Sequence, residues 1–254
     1  MSLLTSLYRR LFDEETRLRI FKLRNPEHFA RMRTAVNPSD KGDFSLRAFD
    51  QHQCIFVHIT KSAGTSVALA LFGELPYHRT AWEYRVLYGR KTFDAYTKFA
   101  FVRNPWDRLY SAFSYLKGGG WNDDDRQWAD THLSQFDDFE NFVLNGLNAD
   151  TLNAHIHFKP QLDFIADKRG QPMIDHLLYF ETIRDDFDKI SNIIGLDATL
   201  EHRNSSKRSS YRDVYTPQMI EHVARIYAQD IATFGYEFSG IGQRKHIAER
   251  QWQG

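Results

Sequence analysis

The stretch CIFVHITKSAGTSVALALF, residues 54–72, runs from an apolar segment through a small polar loop into a helical pattern. Residues 55–59 read as a buried strand and residues 66–75 as a helix. Between them lie Lys61, Ser62, Ala63, Gly64, Thr65 and Ser66. A strand followed by a helix N-terminus brings unpaired N–H groups and a partial positive charge to one place, which suits an anion. Lys61 adds a full charge, Ser62, Thr65 and Ser66 add hydroxyl donors, and Gly64 lets backbone approach closely. The order of residues is not that of a Walker A loop, because the lysine precedes the glycine and no second glycine lies upstream. An ordinary strand-to-helix turn with a surface lysine fits the loop equally well when it is taken alone.

A second stretch, FAFVRNPWDRLYSAFSYL at 99–116, shifts that balance. Residues 98–102 read as another buried strand, and Asn104-Pro105 as N-cap and first residue of a helix over 105–117. Arg103 therefore sits at the C-terminal end of a strand, where open α/β sheets bind ligands. Ser111 follows two turns into the helix, so the two can share a second anion. The competing reading pairs Arg103 with a carboxylate such as Asp107.

Elsewhere the chain keeps alternating. Residues 80–89 read as a helix opened by a Thr80–Glu83 capping box. Residues 118–125, GGGWNDDD, read as a mobile acidic loop, with Asp123, Asp124 and Asp125 solvated rather than metal-binding. Helices are expected near 124–133 and 137–146, a third strand at 176–180, and a helix after a Thr182 cap. A last helix begins at Thr216-Pro217 and stops at Gly235. Short apolar strands separated by helices predict a parallel sheet in a three-layer α/β fold.

Composition sets the outer limits. The chain has 254 residues, 42% of them hydrophobic, enough for one sizeable core. Lys+Arg and Asp+Glu both number 33, so no general charge favours nucleic acid and any anion site must be local. The single cysteine, Cys54, lies in an apolar run and reads as a buried thiol, consistent with a reducing compartment. No run is long enough to cross a membrane, and the N-terminus lacks the order of a secretory signal, so a cytoplasmic protein is expected. Leu4, Leu7 and Leu11 share one helical face, which suits packing on the body of the protein or peripheral membrane contact.

HITKSAGTS together with FVRNPWDRLYSAFSYL resembles the two nucleotide-binding signatures of the sulfotransferases, nearest the carbohydrate-type group of heparan 2-O and chondroitin enzymes and their bacterial relatives. HFKPQLDFI (157–165) and the segment 203–238 resemble further stretches of that family, so the likeness spans about residues 50–238. It implies a P-loop-like fold with a central parallel sheet, and a division into an N-terminal helical extension (1–49), a sulfotransferase domain (50–240) and a tail (241–254). It also implies 3′-phosphoadenosine-5′-phosphosulfate (PAPS) as donor, with the 60–66 loop on the 5′-phosphosulfate and Arg103 and Ser111 on the 3′-phosphate. The family usually carries proline before the loop lysine and threonine after it; Thr60 and Ser62 stand there, and Thr60 is expected to loosen the turn.

Sulfuryl transfer to a carbohydrate or glycolipid hydroxyl would then use Lys61 against charge on the leaving phosphate and a histidine as base. His78, two residues before the Thr80 cap, is the first choice, because a positive helix end disfavours imidazolium and because the resembled 2-O group carries its catalytic histidine in the comparable segment. His157 is the second candidate, for base or substrate contact, and His58 reads as buried structure. The basic run with Arg203, Lys207, Arg208 and Arg212 is expected to close over the nucleotide. No metal is needed. A P-loop-like kinase and a non-catalytic nucleotide-binding module are the rival functions.

Overall fold

The computed structural model describes residues 12–40, 42–200 and 209–245. The fold is mixed α/β, with a central parallel sheet flanked by helices. Its strands are β1 (Cys54–Phe56), β2 (Thr97–Val102) and β3 (His176–Tyr179), in that spatial order. Cys54 pairs with Thr97, and Phe99 with His176. Parallel strands need crossovers, and those between β1 and β2 are helical. The strands are buried on both faces, which is why they are almost continuously apolar. Two-residue ribbons at Val36–Asn37 with Phe44–Ser45 and at Tyr236–Glu237 with Gly240–Ile241, and isolated bridges at Phe44–Leu75 and Ala166–Pro172, complete the β structure among the described residues.

Helices α1 (Glu14–Arg24) and α2 (Pro26–Thr34), and a short helix at Arg47–Gln51, precede the sheet among the described residues. The Lys22 ammonium donates to the carbonyls of Val86 and Leu87 at 2.6 and 2.9 Å, and Phe29 is buried in the main core. Leu4, Leu7 and Leu11 lie outside the described residues. No helix among the described residues is long and apolar enough to cross a membrane.

The first strand is shorter than expected, ending at Phe56, because the chain curls toward the loop after Val57 donates to Phe99 at 2.9 Å. Helix α3 (Gly64–Phe72) therefore starts two residues early, and it stops at Gly73 in the left-handed region. Helix α4 (Ala81–Tyr88) has the Thr80–Glu83 capping box, and α5 (Pro105–Lys117) has the Asn104 cap, its side-chain Oδ1 accepting from the Trp106 N–H. Residues 123–125 are not loop: they form the first turn of α6 (Asp123–His132), capped by Asn122, where three carboxylates meet the positive end of the helix. Thr182 does not cap α7 (Ile183–Ile193); its hydroxyl donates to Asp186 instead. The last helical segment is two helices, α8 (Pro217–Ile226) and α9 (Ala228–Phe234), divided at Tyr227. There the Tyr227 hydroxyl donates to the Phe158 carbonyl at 2.7 Å, while the Tyr227 N–H still donates to the Val223 carbonyl and the Ile231 N–H to that of Tyr227.

Candidate active site

A cavity of about 520 Å³ opens at the C-terminal ends of β1 and β2. That size is typical of small-molecule sites. Its wall includes Lys61, Ala63, Gly64 and Thr65 from the loop after β1, Arg103 and Ser111 from the β2 exit and α5, and His58, His78 and His157. The loop and the second anion-binding candidate thus share one cavity.

The loop is shaped by strain and by a buried cation. Lys61 (φ 63°) and Ala63 (φ 62°) are left-handed without being glycine, a conformation that surrounding structure must enforce. Arg108 supplies much of that enforcement. Only 2% exposed, it donates from Nε to the Thr60 carbonyl at 2.9 Å, from Nη2 to the Thr60 hydroxyl at 3.0 Å, and from Nη1 to the Lys159 carbonyl at 2.9 Å. The Thr60 hydroxyl passes a bond on to the Ile156 carbonyl at 3.2 Å. Thr60 therefore fixes the turn rather than loosening it. Sequence reasoning missed Arg108 because a helical arginine reads as surface; its place one turn after the Asn104 cap was the only signal.

Packing also requires a glycine at position 64. A Cβ there would stand 1.9 Å from the His58 ring, so the missing side chain makes room for imidazole. Ser62 is buried and donates to Gln161 Oε1 at 3.4 Å, turned away from the cavity, and Ser66 is outside the cavity wall. Thr65 is the loop hydroxyl residue that lines it. Gln161 in turn bonds Arg103 in both directions, accepting from its N–H at 2.9 Å and donating to its carbonyl at 2.8 Å. The buried Asp230 carboxylate accepts from the Gln161 and Leu162 N–H groups, and burial raises its pKa to about 6.

Arg103 is both cavity wall and ion-pair member. Its Nε and Nη2 reach Asp107 Oδ2 at 2.8 and 2.7 Å, its Nη1 donates to the Lys61 carbonyl at 3.0 Å, and its guanidinium lies 4.0 Å from the Phe180 ring centroid. The pairing that competes with anion binding in the sequence is thus present, alongside Ser111 in the same wall. Arg212 is elsewhere, donating to the Ser239 carbonyl and stacked over Tyr211, and it does not line the cavity. Arg203, Lys207 and Arg208 lie outside the described residues.

The histidines form a chain of rings. His58 and His78 are 4.1 Å apart between centroids, His78 and His157 6.5 Å, and His157 and His155 5.0 Å. His78 Nδ1 lies 2.8 Å from the His58 carbonyl, which can only accept, so Nδ1 carries the proton and Nε2 keeps its lone pair. Burial holds His78 below the ordinary histidine pKa, and Arg108 and Lys61 act in the same direction. Desolvation, more than a helix end, thus keeps it neutral. His157 is held far below the ordinary value, first by burial and then by Lys61, and its Nδ1 is buried without a hydrogen-bond partner. His58 is buried, as expected, yet it also reaches the cavity wall.

The Lys61 ammonium lies 3.9 Å from the centroid of the Tyr115 ring. The Tyr115 hydroxyl donates to Asp125 Oδ2 at 2.6 Å, and the Trp121 N–H donates to the same oxygen at 2.9 Å. Asp125, expected to be a solvated loop residue, is thus turned into the wall. Capping of α6 by Asn122 is what turns it, and that cap is visible in the sequence only in hindsight. Among the described residues no group of histidine, cysteine and carboxylate side chains is arranged to hold a metal.

An uncharacterized protein of Archaeoglobus fulgidus is 30% identical over 135 residues, which cover 53% of this chain and 98% of that protein. No solved structure matches. A family model described as the sulfotransferase family matches residues 45–237, a span that contains the loop, Arg103, Ser111 and all the histidines of the cavity, and the chain belongs to that family.

Proposed function

We propose that this protein moves the sulfuryl group of PAPS to a hydroxyl of a carbohydrate or glycolipid acceptor by in-line displacement. The observation that carries the reading is the meeting of Lys61, Thr65, His78, Arg103 and Ser111 around one cavity at two adjacent strand ends. These groups fit the donor: two cations, two hydroxyl side chains and the N-terminus of α3 are suited to two separated acid groups. When bound, PAPS supplies an activated sulfuryl group on a phosphate that leaves.

Each side chain then has a definite task. Lys61 neutralises charge developing on the leaving phosphate. Thr65 and the first N–H groups of α3 hold that phosphate, and Arg103 with Ser111 holds the other. The Nε2 of His78 takes the proton of the acceptor hydroxyl, with the tautomer fixed through Nδ1. Apolar wall residues, Phe44, Leu75, Trp121 and Ile156, keep water from competing with the acceptor.

The test is transfer of labelled sulfate from PAPS to a panel of glycans and glycolipids by wild type, Lys61→Ala and His78→Ala. Transfer by wild type with loss in both variants is expected. Normal turnover in both variants overturns the mechanism. Nucleotide binding without transfer over the whole panel supports a binding module instead.

A further inference from the structure

Tyr115 touches more of this site than any role so far assigned to it requires. Its ring carries the Lys61 ammonium at 3.9 Å and meets the His157 ring edge-on at 4.8 Å. Its hydroxyl is held by Asp125, whose carboxylate also accepts from Trp121 and lies 3.4 Å from His155 Nε2. His155 Nδ1 accepts the His157 N–H at 3.3 Å, so the ring proton sits on Nε2 and points at Asp125. Packing tightens the same anchor: a Cβ on Gly120 (φ 67°) would fall 2.2 Å from the Asp125 Cβ.

Lys61 itself stands on a left-handed residue at the end of a strained turn, and a long flexible ammonium side chain loses much rotamer entropy when fixed. A ring face beneath the ammonium supplies direction without neutralising it, which a carboxylate would do. Tyr115 is itself only partly buried, so its ring is fixed by the Asp125 bond as well as by packing.

We propose that Tyr115 is a positioning residue for sulfuryl transfer: its ring is the platform that aims Lys61 at the 5′-phosphate of the nucleotide, and Asp125 locks the platform in place. The inference rests on the nucleotide reading given above. It assigns Tyr115 no contact with substrate; its effect passes through Lys61.

Two measurements test it, both by calorimetry with 3′,5′-bisphosphoadenosine on the full chain. In the first, Tyr115→Phe is the reference, and phenylalanines carrying one, two and three ring fluorines are placed at position 115. Fluorine drains the ring face of negative charge while nearly preserving its shape, so Kd is expected to weaken stepwise, by roughly three- to tenfold over the series. A flat series, or tightening, overturns the proposal. In the second, Tyr115→Met, Lys61→Ala and the double variant form a cycle. If Tyr115 acts through Lys61, the double variant binds no more weakly than Lys61→Ala alone; losses that multiply overturn the proposal. If wild type ignores the nucleotide altogether, the reading of the whole cavity fails, and this inference with it. Wild-type binding with a flat series sinks the role of Tyr115 alone.

Discussion

Arg103 and Asp107, one helical turn apart, share a two-toothed contact at 2.8 and 2.7 Å with both side chains nearly buried, at the point where a phosphate is proposed to sit. The carboxylate holds the guanidinium in the cavity wall and at the same time competes with any anion that approaches it. Replacing it by an amide keeps the shape and removes the rival charge. Asp107→Asn is expected to tighten 3′,5′-bisphosphoadenosine binding by roughly three- to tenfold, since charge-assisted bonds of this kind are about twice as strong as neutral ones. Calorimetry at fixed ionic strength checks it, and weaker binding would show that Asp107 acts mainly by orienting Arg103.

Removing the second anion pocket should erase a preference. Wild type is expected to bind 3′,5′-bisphosphoadenosine more tightly than adenosine 5′-phosphate, and the Arg103→Ala, Ser111→Ala double variant to bind the two alike. A preference that survives truncation places the 3′-phosphate elsewhere.

His78 gives a pH dependence with a definite sign. Burial lowers its pKa, so the neutral, proton-accepting form persists below the ordinary histidine value near 6.5. Transfer should therefore stay level as pH falls through 6.5 and decline only at lower pH. His78→Gln should lose about 10²- to 10⁴-fold in rate while keeping nucleotide affinity. A rate that halves near pH 6.5 would point to an exposed base.

Stability should carry the same signature. His58, His78, His155 and His157 are all held below their ordinary pKa, chiefly by burial. The stability from keeping them neutral is whole above the unfolded value near 6.5 and is lost as pH drops below it. Asp230, raised to about 6, works the other way, since its ionised form is the costly one and protonation relieves it between pH 6 and 4. Burial raises Glu181 and Asp163 in the same sense, so three carboxyls offset part of the loss from four histidines. Urea unfolding at pH 5.5 should show a net loss of stability against pH 7.5. Equal stability at the two pH values would mean that the histidines charge freely in the folded protein.

Gly64→Ala tests the packing of the loop. The new methyl would collide with the His58 ring, and the His58 carbonyl is what fixes the His78 tautomer. A loss of about 1 to 3 kcal/mol in urea unfolding is expected, as for other overpacked sites, with sulfate transfer falling more than nucleotide binding. An unchanged variant would show that His58 can move aside without consequence.

Much of this architecture was legible from local signals. The Thr80–Glu83 box, the Asn104-Pro105 start and the Gly235 stop each satisfy backbone groups within a few residues, so the pattern alone locates them. The apolar strands and the two polar loops between them were equally plain. What stayed hidden depends on partners far along the chain. Arg108 bonds residues 48 and 51 positions away, Ser62 turns toward a glutamine 99 positions away, and the Tyr227 hydroxyl reaches a carbonyl 69 positions away. At Gly64 a sequence shows that space is needed but not that an imidazole fills it.

The two-way bond between Gln161 and the main chain of Arg103 has a wider consequence. One amide side chain does for that residue what an adjoining peptide would do, so β2 can run on past the end of β1 without leaving bare polar atoms at the rim. A glutamate there would lack the donor and a leucine would lack both partners. Substitution at this distant point should therefore disturb the mouth of the cleft as surely as changes among the groups that line it.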